Sequence, residues 1–274
     1  MEKQLGRNPH KLSPQLAALV QTVREVAQGV IMPRYLMAVR SRKADGSFLT
    51  EVDLRAQRAL ARSLTRILHC PVLGEEMSHD RQLELWDDGE AGLWCIDPID
   101  GTTNFANGIP FFAVSVALLR DRRSQMGVVY NPATDEAFYA ERGHGSFLNG
   151  VQLPLRPAAM ELRDCVAGVD FKRISAALGD RLATDPPFHS QRNFGCSTLE
   201  WCYVASARLD VYLHGGQMLW DYAAGRLILE EAGGRMASLT NDDFDGEDVW
   251  KRSVMAAATP GLFSLWHEWI HAHR

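Results

Sequence analysis

Trp94-Cys95-Ile96-Asp97-Pro98-Ile99-Asp100-Gly101-Thr102-Thr103-Asn104-Phe105 is the stretch around which the chain is organised. An apolar run stops at two carboxylates three residues apart, with a proline between them and Gly-Thr-Thr directly after. A strand, an acidic turn and a small-residue turn set carboxylate oxygens beside backbone N–H groups. Holding a divalent cation against a phosphate needs that combination. If the strand ends at Asp97, the turn through Pro98 brings both carboxylates to one point. The Ile99 carbonyl is then a third oxygen, and Gly101-Thr102-Thr103 opens a helix. A surface acidic turn with Asp100 as an N-cap would give the same local pattern.

Three other stretches carry carboxylates that could join this one. Leu73-Gly74-Glu75-Glu76 reads as a short strand ending in acids, and strand ends from one sheet edge commonly converge. A solvated acidic turn is the alternative. Trp220-Asp221-Tyr222-Ala223-Ala224-Gly225 starts a helix whose small residues permit close approach, with Asp221 either at the site or capping the helix. Thr50-Glu51-Val52-Asp53 has capping-box spacing, worth about 1 kcal/mol. Asp53 is alternatively an acid that orients a water-activating hydroxyl, and the two roles compete for its oxygens. Glu230-Glu231 reads as a solvated helix face.

Farther out, Pro14 to Pro33 has helical apolar spacing behind the cap Ser13, and a second helix follows Thr50. Ser41 to Leu49, with Asp45-Gly46, reads as a loop, and Met77 to Gly92 as a mobile acidic connection. Phe112–Leu119, Gln125–Tyr130 and Glu136–Glu141 form an antiparallel meander punctuated by turn residues, with further turns at Gly143-His144-Gly145 and Asn149-Gly150. Strands then alternate with helices: Cys165–Val169, helix Lys172–Leu182, Arg192–Gly195, helix Leu199–Arg208, Asp210–Leu213, helix Asp221–Ala232, Ser253–Ala257 and helix Leu262–His271. Local strand pairing followed by alternation predicts α+β layers in one unit over 1–274. Its first half, to about residue 155, holds most of the acids, and its second half, from about 160, adds Asp221.

Composition narrows the function. The chain has 274 residues, 46% apolar and 23% charged, with a net charge of −5, so it has core material and no basic footprint for nucleic acid or an anionic membrane. Five cysteines without a CxxC pair argue against a disulfide framework or zinc ribbon. Met1 to Lys11 lacks a signal peptide's apolar core, and no run reaches the ~18 apolar residues of a membrane span. A cytoplasmic protein is expected. Asn241 to Gly246 begins like an EF-hand loop, but Arg252 stands where the bidentate glutamate belongs. Gly143-His144-Gly145 lacks the strand-to-helix context of a dinucleotide fingerprint, and neither a P-loop nor a GxSxG motif is present.

In order along the chain, Leu49-Thr50-Glu51-Val52-Asp53, Gly74-Glu75-Glu76, Asp97-Pro98-Ile99-Asp100-Gly101-Thr102-Thr103-Asn104-Phe105, Gly143-x-Gly145-x-Phe147-x-Asn149-Gly150, Gly195-Cys196-Ser197, Trp220-Asp221-Tyr222-Ala223-Ala224-Gly225 and Glu231-Ala232-Gly233-Gly234 together resemble the inositol monophosphatase family. The resemblance implies a layered αβαβα sandwich, of the inositol monophosphatase and fructose-1,6-bisphosphatase type. It implies two or three Mg2+ ions, with Mn2+ as a substitute. Glu75, Asp97 and the Ile99 carbonyl would hold one ion, and Asp97, Asp100 and Asp221 a second. A third, weaker ion would lie near Glu75. Phosphate would rest on the backbone of Gly101 and Thr102, and Thr102 and Asp53, helped by Glu75, would activate the attacking water. Gly195, Cys196, Ser197 and His214 would line the substrate pocket. His214 stands where many relatives have a polyol-binding glutamate, and Cys196 where a small or hydroxyl residue is more usual. A small phosphate ester as substrate, lithium inhibition and a homodimer are also implied. Histidinol phosphate, fructose 1,6-bisphosphate and adenosine 3′,5′-bisphosphate are the alternative substrates within the family. A regulatory binding protein with incidental activity is the reading from a different class. Trp250, Trp266 and Trp269 are assigned to core or to a subunit interface.

Overall fold

The computed structural model describes residues 12–37, 40–42, 48–246 and 248–274. The first helix, α1 (Pro14–Val26), is capped by Ser13, whose Oγ accepts the Leu16 N–H at 3.1 Å. It runs on through a π-helical turn (Ala27–Ile31) and a 3-10 turn (Met32–Arg34) at Pro33. The expected loop at Ser41 to Leu49 is partly a ribbon: β1 (Arg40–Arg42) pairs antiparallel with β2 (Phe48–Thr50). Asp45-Gly46 lies outside the described residues. Helix α2 (Glu51–Ile67) follows, with Val52, Ala56, Leu60 and Leu64 buried at helical spacing.

Seven strands form the first sheet: β3 (Val72–Gly74), β4 (Leu93–Asp100), β5 (Ala113–Arg120), β6 (Arg123–Asn131), β7 (Glu136–Glu141), β8 (Ser146–Leu148) and β9 (Val151–Gln152), in that spatial order. Only the β3–β4 pair is parallel; the rest is the expected meander, extended by β8 and β9. Asp121-Arg122 closes β5–β6 with both residues at positive φ, and Asn149-Gly150 closes β8–β9 in the same way. This left-handed pair matches the twist of the strands it joins. The connection between β3 and β4 is not the open segment expected at Met77 to Gly92. It contains helix α3 (His79–Asp88), capped by Ser78 and burying Gln82, Leu85 and Trp86. A three-residue stripe among acids is too short to show as periodicity, yet it suffices once a sheet edge offers a surface.

The second sheet has the order β11 (Ser190–Arg192), β10 (Val166–Asp170), β12 (Val211–Gln217), β14 (Arg252–Ala257), β13 (Arg235–Ala237). Strand β10 is parallel to both neighbours, and β14 is antiparallel to both of its own. Strand β11 lies earlier than the expected Arg192–Gly195, and the helix expected from Lys172 starts only at Ala176, after a 3-10 turn. That helix is α5 (Ala176–Thr184), capped by Ser175. Helices α6 (Ser197–Ala205) and α7 (Leu219–Glu231) lie between the two sheets, and α8 (Pro260–His273) packs with α5 on the far face of the second. With α4 (Thr102–Asn107) at the end of β4, the layers run α1/α2, seven-stranded sheet, α6/α7, five-stranded sheet, α5/α8, the αβαβα sandwich expected.

Three apolar clusters fill the gaps between these layers. The middle one is tight: a Cβ on Gly225 would lie 2.5 Å from Trp201 Cβ, so α6 and α7 approach closely because position 225 has no side chain. Trp266 is fully buried, with its indole N–H on the Tyr212 carbonyl at 3.1 Å, while Trp269 stacks beside it, partly exposed. Trp250 packs against Trp86 and Trp220. All five cysteines are free. Among the described residues no helix is long and apolar enough to cross a membrane.

Candidate metal and phosphate site

Strands β3 and β4 are parallel, so their C-terminal ends share one edge of the sheet, and Glu75 and Asp97 reach it together. Strand β4 does not stop at Asp97. It continues to Asp100 with a register shift between the two aspartates, so the predicted turn is an irregularity inside the strand. One donor oxygen from each of Asp97, Asp100 and Asp221 falls within 4.8 Å of the others. Glu75 hydrogen-bonds Asp97 carboxyl to carboxyl, and this contact adds to what holds the Asp97 pKa up.

Each acid is fixed by a protein donor on one oxygen. Asp97 is 1% exposed and accepts the Ile99 N–H at 3.0 Å. Asp100 Oδ2 accepts the Thr198 N–H at 2.7 Å, the Ser197 hydroxyl at 3.3 Å and the Cys196 thiol at 3.3 Å, all from the start of α6. Asp221, at the third position of α7, accepts the Met218 N–H at 2.9 Å. Asp53, at the third position of α2, accepts the Thr50 N–H at 2.8 Å and the Thr50 hydroxyl at 2.5 Å on Oδ2. Its Oδ1 is buried without a hydrogen-bond partner. The capping box and the chemical reading of Asp53 therefore use different oxygens. Asp100 sits on the N-terminus of α6, and Asp53 and Asp221 lie in the first turns of α2 and α7, where the helix dipoles offset some of their charge.

The electrostatics are those of acids crowded without a counter-ion. Burial, then Glu75, Asp100 and Asp221, push Asp97 well above the usual carboxylate range. Burial and Asp100 do the same to Asp221. Burial lifts Asp53 to about 6, partly offset by its Thr50 bonds. An all-oxygen donor set with excess negative charge and a withdrawn, unpartnered carboxylate oxygen fits a hard divalent cation.

Gly101 has a left-handed φ of 82°, which turns the chain from β4 into α4. The Thr102 hydroxyl donates to the Ile99 carbonyl at 3.0 Å, so Thr102 and Asp53 have different partners here. Gly195 is exposed and left-handed at φ 70°, and Asn104 ties this loop to α4 through the Phe194 carbonyl. Cys196 is fully buried beneath Asp100, where burial pushes its thiol pKa up. His214 is 7% exposed, so it is not a rim residue. Its Nδ1 accepts the Gly216 N–H at 3.1 Å, its Nε2 lies 3.6 Å from Asp170, and burial lowers its pKa to about 4.

Several residues behind the site gave no signal of their own. Thr198 holds Asp100 through its backbone. Glu200 is 2% exposed, takes the Phe194 N–H at 2.9 Å, and is lifted to about 7 by burial. An acid one helical turn after Gly195-Cys196-Ser197 is the only sequence cue. Glu230 and Glu231 are not merely a solvated face. Glu230 pairs with Arg142 and Arg226, and Glu231 accepts the Gly143 and Gly145 N–H groups, clamping the β7–β8 turn.

A layered sandwich that gathers an acid cluster where helix N-termini meet a strand edge is built to hold divalent cations against phosphate oxygens. The sequence profile of the inositol monophosphatase family matches residues 11–274, and the chain belongs to that family. An inositol-1-monophosphatase of Mesorhizobium japonicum is 33% identical over 235 residues, covering 81% of this chain and 86% of its own. A putative Nus factor SuhB of Neisseria meningitidis serogroup B is 33% identical over 239 residues, covering 84% and 87%. Among solved structures, extragenic suppressor protein suhB of Bartonella henselae superposes with a TM-score of 0.80 at 26% identity, over 94% of this chain and 98% of the other.

Proposed function

We propose that this chain is a Mg2+-dependent phosphomonoesterase that cleaves a small hydroxylated phosphate ester of the inositol 1-phosphate kind by in-line attack of water. The observation that carries the reading is the convergence of Asp97, Asp100 and Asp221 within 4.8 Å, beside a Glu75 bonded to Asp97. Glu75, Asp97 and the Ile99 carbonyl would hold one cation, and Asp97, Asp100 and Asp221 another, with Asp97 shared; a third belongs near Glu75. Mn2+ suits the same oxygens. Bound magnesium supplies a lowered pKa for water and neutralises charge on the attacking and leaving oxygens.

The chain's own residues supply position and proton transfer. Asp53 Oδ1 is the buried oxygen left without a partner and so the one free to take a proton. Thr102 turns its hydroxyl from Ile99 to relay the proton, with Glu75 assisting. The Gly101 and Thr102 N–H groups at the start of α4 receive phosphate oxygens. The backbone of Gly195-Cys196-Ser197, with the Cys196 thiol turned away onto Asp100, and His214 would bound the leaving-group side, where a neutral imidazole offers a hydrogen bond to a hydroxyl. The copy number is proposed as two, by family likeness.

Phosphate release with Mg2+ over a panel of inositol, sugar, histidinol and nucleotide monophosphates tests this directly. The proposal expects inositol 1-phosphate among the best by kcat/KM, and release from none would refute it. The SuhB relatives favour a second reading, a regulatory protein whose catalysis is incidental. Asp97→Asn separates them: loss of hydrolysis with the cellular phenotype intact would favour regulation.

A further inference from the structure

Helix α8 carries His267-Glu268-Trp269-Ile270-His271 near its end, two histidines at helical spacing. Four residues along a helix bring side chains to the same face one turn apart. Their rings stack, with centroids 4.0 Å apart and planes at 28°. Asp242, beyond β13, meets them from the neighbouring loop: its Oδ1 lies 2.7 Å from His267 Nε2. One donor atom from each of the three falls within 4.8 Å of the others. His271 Nε2 is buried with no hydrogen-bond partner, although its ring stacks on His267 and belongs to the same cluster as Asp242. A buried ring nitrogen left in this way asks for a missing partner.

We propose that Asp242, His267 and His271 form a second metal site, separate from the carboxylate cluster, that takes a borderline transition cation of the Zn2+ class. Two imidazoles and a carboxylate are the donor set that Zn2+, Co2+ or Ni2+ prefer, whereas magnesium prefers oxygen alone. The cation takes the place of the proton between Asp242 and His267 and supplies His271 Nε2 with its partner. Arg274, which donates to the Leu239 carbonyl, is the nearby positive charge it has to tolerate. The H-E-x-x-H spacing is also that of zinc peptidases, where the glutamate is the general base. Here Glu268 is exposed and lines a different cavity with Glu161, Leu265 and Trp269. The site therefore ties the end of α8 to the loop after β13 and has no hydrolytic role of its own.

The test is Co2+ and Zn2+ titration of the intact protein in excess Mg2+, which keeps the all-oxygen cluster occupied. Wild type should bind an equivalent of Co2+ with the strong visible absorption of a four-coordinate nitrogen-containing site. His271→Gln and His267→Gln should weaken Zn2+ binding by at least about tenfold, since removing even a supporting partner of a metal site does that. Mg2+-dependent phosphate release should be unchanged in both variants, while Asp97→Asn should leave the Co2+ spectrum intact. Both histidines are partly exposed, so folding of the variants is checked by their melting curves. Weak six-coordinate absorption alone in wild type, or Zn2+ binding unchanged in both histidine variants, would overturn the proposal.

Discussion

Replacing Asp53 with Asn should make the protein more stable and nearly inactive at once. Asp53 is fully buried, with Oδ2 held by Thr50 and Oδ1 without a partner. Moving a carboxyl from 3.8 to about 6 corresponds to about 3 kcal/mol of penalty on its ionised form at neutral pH. The sign follows from proton binding: a raised folded-state pKa favours the fold below about 4, and that advantage is lost as pH rises through about 6. Asn carries no charge at any pH, so it escapes the penalty. It keeps an acceptor for Thr50 but weakens the capping box by about 1 kcal/mol. The net gain in chelator at pH 7.5 is about 2 kcal/mol, or roughly 4–8 °C in Tm for a chain of this size. At pH 3.5 the gain should vanish or reverse. If Asp53 Oδ1 takes the proton, kcat with Mg2+ should fall by about 10²–10⁴. Melts at both pH values and a phosphate-release assay decide it. Equal destabilisation at both pH values would refute the burial argument, and retained kcat would refute the base role.

Asp97→Asn relieves the crowding of four acids, so in chelator its Tm should rise, while Mg2+ should no longer raise it. Wild type at a hundredfold excess of Mg2+ over its Kd should gain about 2.7 kcal/mol, read as a Tm shift. His214→Ala removes a buried acceptor from the Gly216 N–H; KM for polyol phosphates should rise with little change in the Mg2+ dependence, as steady-state kinetics will show. Gly225→Ala puts a methyl 2.5 Å from Trp201 Cβ and should destabilise by about 1–3 kcal/mol in urea melts.

Where local chemistry decides structure, the sequence was legible. Ser13-Pro14 and Thr50-x-x-Asp53 announce helix starts that the backbone then makes, and the dense turn residues between Leu119 and Gly150 mark a meander. The grouping of Asp97, Asp100 and Asp221 was implied by the family resemblance, while the residues alone left Asp221 open between the site and a helix cap. Contacts across layers were not legible. Nothing near Asp100 says that Cys196, Ser197 and Thr198, almost a hundred residues on, will fix its carboxylate. Helix α3 depends on a sheet edge that covers its short stripe. Glu230 and Glu231 read as surface because their partners, Arg142 and the Gly143–Gly145 turn, belong to a distant hairpin. His214 could be placed by its distance from Asp221, but its burial follows from the register of β12 against β10 and β14.

The most direct measurement is anomalous diffraction from crystals soaked in Mn2+ and phosphate. Manganese peaks should lie within bonding distance of Asp97, with one flanked by Asp100 and Asp221 and another by Glu75 and the Ile99 carbonyl. Manganese bound elsewhere, with the Glu75–Asp97 carboxyl bond still closed, would contradict it.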